Sequence, residues 1–514
     1  MHVVCRHSEY RTHGDQNEKK DTCITSFFGN THSSRYSSSH SQQKAITAAI
    51  IRDFIIACNL PISLVESESF RHFMSVVDSQ YNPPSRSTVT SHLGRMAEDV
   101  RRQLTEKLAD IQSVNLTLDI WSDRRMRAYL GVTAHYVMHG MHELSSSLLA
   151  CSRFSGSHTG DRIAAELEST LDLYDIKHKI DYVLTDNAAN MKKAMTIALY
   201  SMETCEEGDA DDDAAIDNPE IWQDVDDTDQ HEVLEMVNAH CRKERLSCFD
   251  HTLHLVVGDG LKDTKCVSSA LAKCCKISSM IHTSSLFHDA FEQAFGPNKS
   301  IPAAVVTRWN STLRQIKSVL NLDMKQLCDV LEAQGQKHLV FSAREWAQLH
   351  ELVELLDPFL EATSLTEGDK VVTISFALPS VLVLMKHLRE VRQRLKYCNP
   401  VCYALLASMS SRFDGMLQRV QITKVHRVSE VHTLPFGSAV YLISAVFDPK
   451  FRLKWIDNEL DLDDKSKEDL RKEVTGCLAV NWSFGLIGCL SSVSYGTLLC
   501  VTFEKIVKMI PQFR

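Results

Sequence analysis

The sequence predicts a mixed α/β domain joined to a long helical stretch, on three observations. Short segments in which apolar residues alternate with period two follow one another between residues 114 and 186, as half-buried strands do. An amphipathic helix, Arg162 to Tyr174, separates the third strand from the last, the element order of a mixed sheet rather than a helical bundle. Beyond Cys266 the apolar spacing turns helical and stays so to about residue 430. The chain has 514 residues, 44% apolar and 24% charged, an ordinary globular composition with room for about three domains.

The elements follow in order. Residues 1–44 contain the low-complexity run SSRYSSSHSQQ and lack the apolar core of a secretory signal, so they read as a disordered segment. Residues 45–93 read as a small helical unit. Two short amphipathic helices between Ile46 and Tyr81 are split at Asn59-Leu60-Pro61, Asn82-Pro83-Pro84 ends the pair, and Ser85 to Ser91 offers caps. A longer helix follows, with Leu93, Met96, Val100, Leu104 and Leu108 on one face. Strands are expected at 114–120, 129–137, 142–154 and 180–186, within a core of 94–265. The helical stretch of 266–435 is expected to break at Gly296-Pro297, Pro302 and Pro358. Residues 436–473 return to the core, and 474–514 form an atypical apolar tail, charge-free from Val474 to Phe503.

A net charge of -10 argues at first against a nucleic-acid partner. However, residues 204–232 hold 13 Asp and Glu and no Lys or Arg, and without them the remainder stands at +3. A run so acidic and so poor in large apolar residues reads as a solvated loop. The sixteen cysteines show no regular spacing, which fits free thiols in a reducing compartment.

Two carboxylates stand out by position. Asp119 lies in the first strand (LTLDIWSD) and Asp186 ends the later one (VLTDNAANM). Brought together on neighbouring strands, they can hold divalent Mg or Mn through oxygen ligands, as in metal-assisted phosphoryl displacement. A strand-end Asp equally caps a turn or the next helix.

Six segments in order, LTLDIWSD, HTGDRIAAELE, VLTDNAANMKKA, LSCFDHTLHLVV, VTRWNSTLRQI and VFDPKFRLKWI, resemble the hAT transposase superfamily. They particularly resemble its host-domesticated relatives, the zinc finger BED domain proteins. The resemblance implies an RNase H-like core interrupted by a large all-helical insertion domain and preceded by a small helical DNA-binding segment, for which residues 46–93 stand. It implies that Asp119 and Asp186 are the first two members of an Asp-Asp-Glu metal triad. Cys248 and His251 would form the Cys-x-x-His motif, with the His beside the scissile phosphate. Arg308 and Trp309 would be the Arg-Trp pair whose ring stacks on a flipped base. Arg52, Arg71 and Arg86 are further candidates for phosphate contact.

The chain also departs from the family pattern. No Cys-x2-Cys pair is present, so no BED finger and no zinc site are identified. Cys5, His7, His13, Cys23 and His32 lack the order, and Cys398, Cys402, His426 and His432 read as unrelated. No Ser-x-x-x-Glu-Arg follows Asp448-Pro449-Lys450-Phe451, and Glu504 lacks the flanking pattern. The third acid is therefore unassigned, and Asp119, Asp186 and His251 read as vestigial, with a Mg or Mn site not functional. The apolar tail reads as a truncated or spliced end in place of the dimerisation region, which puts a homodimer in doubt, and not as a membrane span. The resulting expectation is a nuclear, catalytically inactive DNA-binding protein in transcription regulation, with chromatin or transcription-factor partners. The alternative is an active hAT-type DNA transposase using an unrecognised acid.

Overall fold

The computed structural model describes residues 35–123, 125–138, 144–204, 243–262, 265–304, 309–368, 372–422, 431, 434–460 and 463–483. The acidic run beyond Thr204, Arg308, His426, His432 and the tail from 484 lie outside them, as do the cysteines and histidines before residue 35. By contacts the chain divides into two units, Met1–Leu104 and Thr105–Arg514.

The first unit is helical. Helix α1 (Ser41–Ala49) runs into a wide π-type turn, Ile50–Ile56, and a 3-10 turn, Ile62–Glu66, leads to α2 (Glu68–Val77) and α3 (Arg86–Ala109). Ser67 caps α2 by accepting from the Phe70 N–H at 3.3 Å, and Ser85 caps α3 by accepting from the Thr88 N–H at 3.2 Å. Each cap satisfies an amide that the first helical turn leaves unpaired. Ile50, Ile51, Ile55, Val65, Phe70, Met74, Tyr81 and Val89 form its core. Tyr81 buries its hydroxyl there only because Thr47 Oγ1 lies 2.9 Å away. Order begins earlier than the low-complexity run suggests. Tyr36 N–H donates to the Gln80 carbonyl at 2.9 Å and Gln43 Nε2 to that of Asn82 at 2.7 Å, so tertiary hydrogen bonds fix a segment whose composition predicts disorder.

The second unit is built on a five-stranded sheet in the order β3-β2-β1-β4-β5. The strands are β1 (Val114–Ser122), β2 (Ala128–Val137), β3 (Leu144–Arg153), β4 (Ile180–Thr185) and β5 (Glu244–Ser247). The first three form an antiparallel meander, and β4 and β5 add in parallel to β1. Strand β5 was not legible in the sequence. It has four residues and one buried apolar side chain, Leu246, too few for a period to show. It forms because β4 offers an edge to pair with.

One face of the meander buries Leu116, Leu118, Leu130, Val132, Ala134 and Tyr136. Helix α4 (Gly160–Tyr174) sets Ile163, Ala164, Leu167, Leu171 and Tyr174 in the interior, the spacing of a single helical stripe. Its Tyr174 hydroxyl donates to the Leu149 carbonyl of β3 at 2.9 Å. Helix α5 (Ala189–Thr204) follows β4 and packs on α4.

From β5 the chain enters α6 (Phe249–Lys262) and then helices α7 (Lys265–Thr283), α8 (Ser285–Phe295), α9 (Trp309–Leu320), α10 (Met324–Ala333), α11 (Ala343–Thr366), α12 (Ala377–Val391), α13 (Asn399–Arg412) and α14 (Asp414–Arg419). Helices α15 (Val440–Phe447), α16 (Lys454–Asn458) and α17 (Asp464–Ser483) complete the described chain. One apolar core runs from Leu246 and Phe249 through these helices to Leu470 and Val474, with Tyr182 and Leu184 of β4 packed against it. Helix α6 meets α13 so closely that a Cβ on Gly260 would stand 2.5 Å from Leu405 Cδ2. Only glycine permits that approach. Beside it Asp259 accepts from Ser408 Oγ at 2.7 Å and from Arg412 Nη2 at 2.8 Å.

Two boundaries differ from the sequence reading. Pro358 lies inside α11 rather than breaking it. Lacking an N–H, it leaves the Glu354 carbonyl without its helical donor, and His387 Nε2 of α12 donates to that carbonyl at 3.0 Å. The neighbouring helix thus repairs the lost bond. Helix α17 also continues ten residues past 473, anchored by Leu470 and Val474, both almost fully buried. Among the described residues, no helix is long and apolar enough to cross a membrane.

Candidate functional site

The parallel half of the sheet brings the predicted residues to one edge. Thr117 of β1 pairs with Leu184 of β4, so Asp119 and Asp186, each two residues further on, fall at the same level. Thr185 pairs with Ser247 of β5, and Cys248 N–H donates to the Thr185 carbonyl at 2.8 Å, which puts Cys248 in that row as well. Carboxyl ends of parallel strands are where open α/β sheets place their ligands. His251 follows on the first turn of α6, half-buried.

The side chains differ in environment. Asp119 is exposed. Asp186 is half-buried, and its Oδ1 accepts from the Ala188 N–H at 3.1 Å, capping the turn into α5. Cys248 starts α6 by accepting at its carbonyl from the Thr252 N–H at 3.1 Å and Thr252 Oγ1 at 2.8 Å. Burial pushes the Cys248 thiol up, the His251 N–H offsets part of that, and the charges of Asp250 and Asp119 push it further. A thiol held protonated in this way is a poor nucleophile.

Two aromatic rings flank Asp119. Trp121 lies two residues along β1 on the same face, 41% exposed, and stacks on Tyr129 with ring centroids 6.0 Å apart. Gly131, opposite Asp119 in the ladder, makes room for the indole: a Cβ there would stand 2.7 Å from Trp121 Cζ3. Tyr129 in turn pairs with Arg153 of β3, so an aromatic pair and a guanidinium share one row on this face.

Sequence reasoning missed three residues. Arg245 of β5 donates from Nε to Thr185 Oγ1 at 2.7 Å and from Nη2 to Asn187 Oδ1 at 2.8 Å and to the Asp186 carbonyl. Asn187 Oδ1 also takes the Ser247 hydroxyl at 2.8 Å, and its amide donates to Thr252 Oγ1 at 3.3 Å. Asp250 accepts the Thr366 hydroxyl from the end of α11. Burial raises its carboxyl from 3.8 to about 6, against the Thr366 bond and aided by Glu367. Asn187 and Asp250 lie within two of the six segments and Arg245 just before one of them, but each gains its setting from a partner about sixty residues away or more.

Asp119 and Asp186 are oxygen donors of the kind a divalent ion takes; one Asp186 carboxylate oxygen is engaged by the Ala188 N–H, and the Arg245 guanidinium binds the Asp186 main-chain carbonyl. Among the described residues, no group of three His, Cys, Asp or Glu is placed to hold a metal ion. Cys398, the residue before α13, and Cys402 within it are buried thiols, donating to the carbonyls of Gln348 at 3.5 Å and Leu388 at 3.2 Å.

The expected nucleic-acid contacts separate. Trp309 opens α9 at 7% exposure within the helical core, its indole turned inward with Leu313 and Ile316 by the amphipathic face of α9. Arg308 lies outside the described residues. Arg52 is exposed but neutralised by Asp53, with bonds of 2.7 and 2.8 Å. Arg71 is exposed, its Nε bound to the Val65 carbonyl at 3.2 Å, and Arg86 is exposed at the start of α3.

Comparison with known proteins follows this division. The family model described as the ZBED1 RNase-like domain matches residues 117–208, the stretch holding Asp119 and Asp186. The model described as the ZBED1 RNase-like helical domain matches 246–355, which holds Cys248, His251 and Trp309. A protein of Talaromyces stipitatus named as a transcriptional regulator, tpeD, is 25% identical over 66% of this chain and 40% of its own length. An AC transposase of Zea mays is 25% identical over 61% of this chain and 36% of its own. The human zinc finger BED domain-containing protein 4 is 21% identical over 86% of this chain and 33% of its own. The chain thus spans two fifths or less of the length of these relatives.

Proposed function

We propose, from the premise that the chain is a hAT transposase-derived protein related to the zinc finger BED domain proteins, that it is a nuclear DNA-binding protein acting in transcription regulation and that these 514 residues do not cleave DNA. The sheet serves as an RNase H-like core, the helices from α7 to α14 as its insertion, and residues 46–93 as a DNA-contacting segment. One observation carries the reading: the strand ends align Asp119 and Asp186 at one level, and the Asp186 carbonyl there is held by a cation of the chain itself, Arg245. A relative named as a transcriptional regulator supports the regulatory half.

Phosphate contacts are assigned to Arg71 and Arg86, and base stacking to Trp121 rather than Trp309. Fluorescence anisotropy of labelled duplex across a salt series tests this. Affinity falls steeply with salt, and Arg71→Ala and Arg86→Ala each reduce the slope by about 1. Trp121→Ala weakens binding to single-stranded ends by about 1–3 kcal/mol. A flat salt response, or no binding at low salt, removes the reading.

A further inference from the structure

The corner formed by Asp119, Asp186 and Cys248 is organised by a side chain. Arg245 reaches from β5 across the end of β4, binding Thr185 Oγ1, the Asp186 carbonyl and Asn187 Oδ1. Through Asn187 the same network takes in Ser247 and Thr252, and Thr252 closes on the Cys248 carbonyl. One guanidinium therefore ties the Asp186 turn, the end of β5 and the first turn of α6 into one piece. It does so as a half-buried cation: burial lowers its pKa, partly offset by Tyr441 and Asp186, yet a guanidinium stays charged in any protein. Lys192, on the first turns of α5, adds a second cation whose pKa is lowered by burial and then by Arg245.

Where two metal ions occupy such a corner, their charge draws the carboxylate-bearing strand ends together. Here the guanidinium performs that structural task. A positive charge held on the Asp186 carbonyl also repels a divalent ion approaching the nearby Asp186 carboxylate. We propose that Arg245 is a built-in cation that fixes the carboxylate corner without metal and excludes Mg or Mn from it. The inference rests on the reading of this corner as non-catalytic, and it does not depend on DNA binding.

The test uses the full chain, with Mn2+ as the probe. Uptake is read from the spectrum of free Mn2+ by electron paramagnetic resonance, and stability from the thermal midpoint in EDTA and in Mn2+. The unsubstituted chain is expected to show the same midpoint in both and no uptake that Asp119→Asn removes. Arg245→Gln retains hydrogen-bonding capacity but not charge. It is expected to bind Mn2+ at least tenfold more tightly than the parent, to lose that binding when Asp119→Asn is added, and to regain part of a lowered midpoint in Mn2+. Arg245→Lys, with charge but no fork, lowers the midpoint while still excluding Mn2+. Asp119-dependent Mn2+ uptake by the parent, or unchanged uptake in Arg245→Gln, overturns the proposal. If Arg245→Gln does not fold, the comparison of parent, Asp119→Asn and Arg245→Lys decides it on the same criterion. DNA cleavage by the parent would sink the regulatory reading, whereas a failure to bind DNA would leave the Mn2+ result standing.

Discussion

Replacing Asp250 by Asn is expected to stabilise the protein at neutral pH, although the carboxylate it removes sits in a hydrogen bond. Asp250 lies on the first turn of α6, half-buried, bound by the Thr366 hydroxyl and close to Glu367. Its carboxyl rises from 3.8 to about 6. At about 1.4 kcal/mol per unit, that shift is worth at most roughly 3 kcal/mol against the folded state once the group is ionised. Partial solvent contact reduces the figure, and a carboxylate at a helix N-terminus recovers about 0.3–1 kcal/mol from the helix dipole. A net gain of about 1–2 kcal/mol remains for Asn, which still accepts from Thr366. The sign follows from linkage: a folded pKa above the unfolded one contributes stability that is full below 3.8 and lost as pH rises through about 6. Urea unfolding followed by circular dichroism at several pH values between about 4 and 7.5 measures it. The gain should be largest near pH 7.5 and vanish toward pH 4. A variant destabilised equally across that range would refute the burial argument.

Other predictions follow from the helical core. Glu345 completes a capping box with Ser342 and binds Lys273 Nζ and Ser269 Oγ, each at 2.7 Å. Burial alone would raise its pKa, but these donors, Lys273 foremost, bring it down to about 2. Its contribution is present above 4.5 and lost as pH falls toward 2, so Glu345→Gln should cost about 2–3 kcal/mol near pH 7 and little in strong acid, as read by the unfolding midpoint. Trp309→Ala should destabilise by about 3–5 kcal/mol as a core truncation; normal stability with lost DNA binding would instead mark the ring as a contact. Gly260→Ala should cost about 1–3 kcal/mol by forcing Leu405 aside, measured the same way.

The alternating strands and the stripe of α4 were legible in the sequence because burial on one face imposes a period that side chains must obey. The level placement of Asp119 and Asp186 was legible only as a possibility, since register is a property of two strands and neither encodes it alone. Arg245 was opaque for the same reason: among ERLS it reads as a surface charge, and its partners lie on β4 and in the Asp186 turn. Pro358 misled because a proline deletes a donor locally, and the remedy, His387, comes from another helix. Trp309 shows the converse. A motif can mark a residue as special while the amphipathic face of its helix decides where the ring goes.

DNA binding without cleavage by a transposase-derived scaffold is the proposal to be tested. The most direct measurement is one incubation of the full chain with labelled hairpin and terminal-repeat DNA in Mg2+ or Mn2+, resolved on gels that separate bound from free and cut from intact strands. The bound fraction is expected to fall steeply with salt while the strands stay intact. Cut strands that disappear with Asp119→Ala would contradict that proposal.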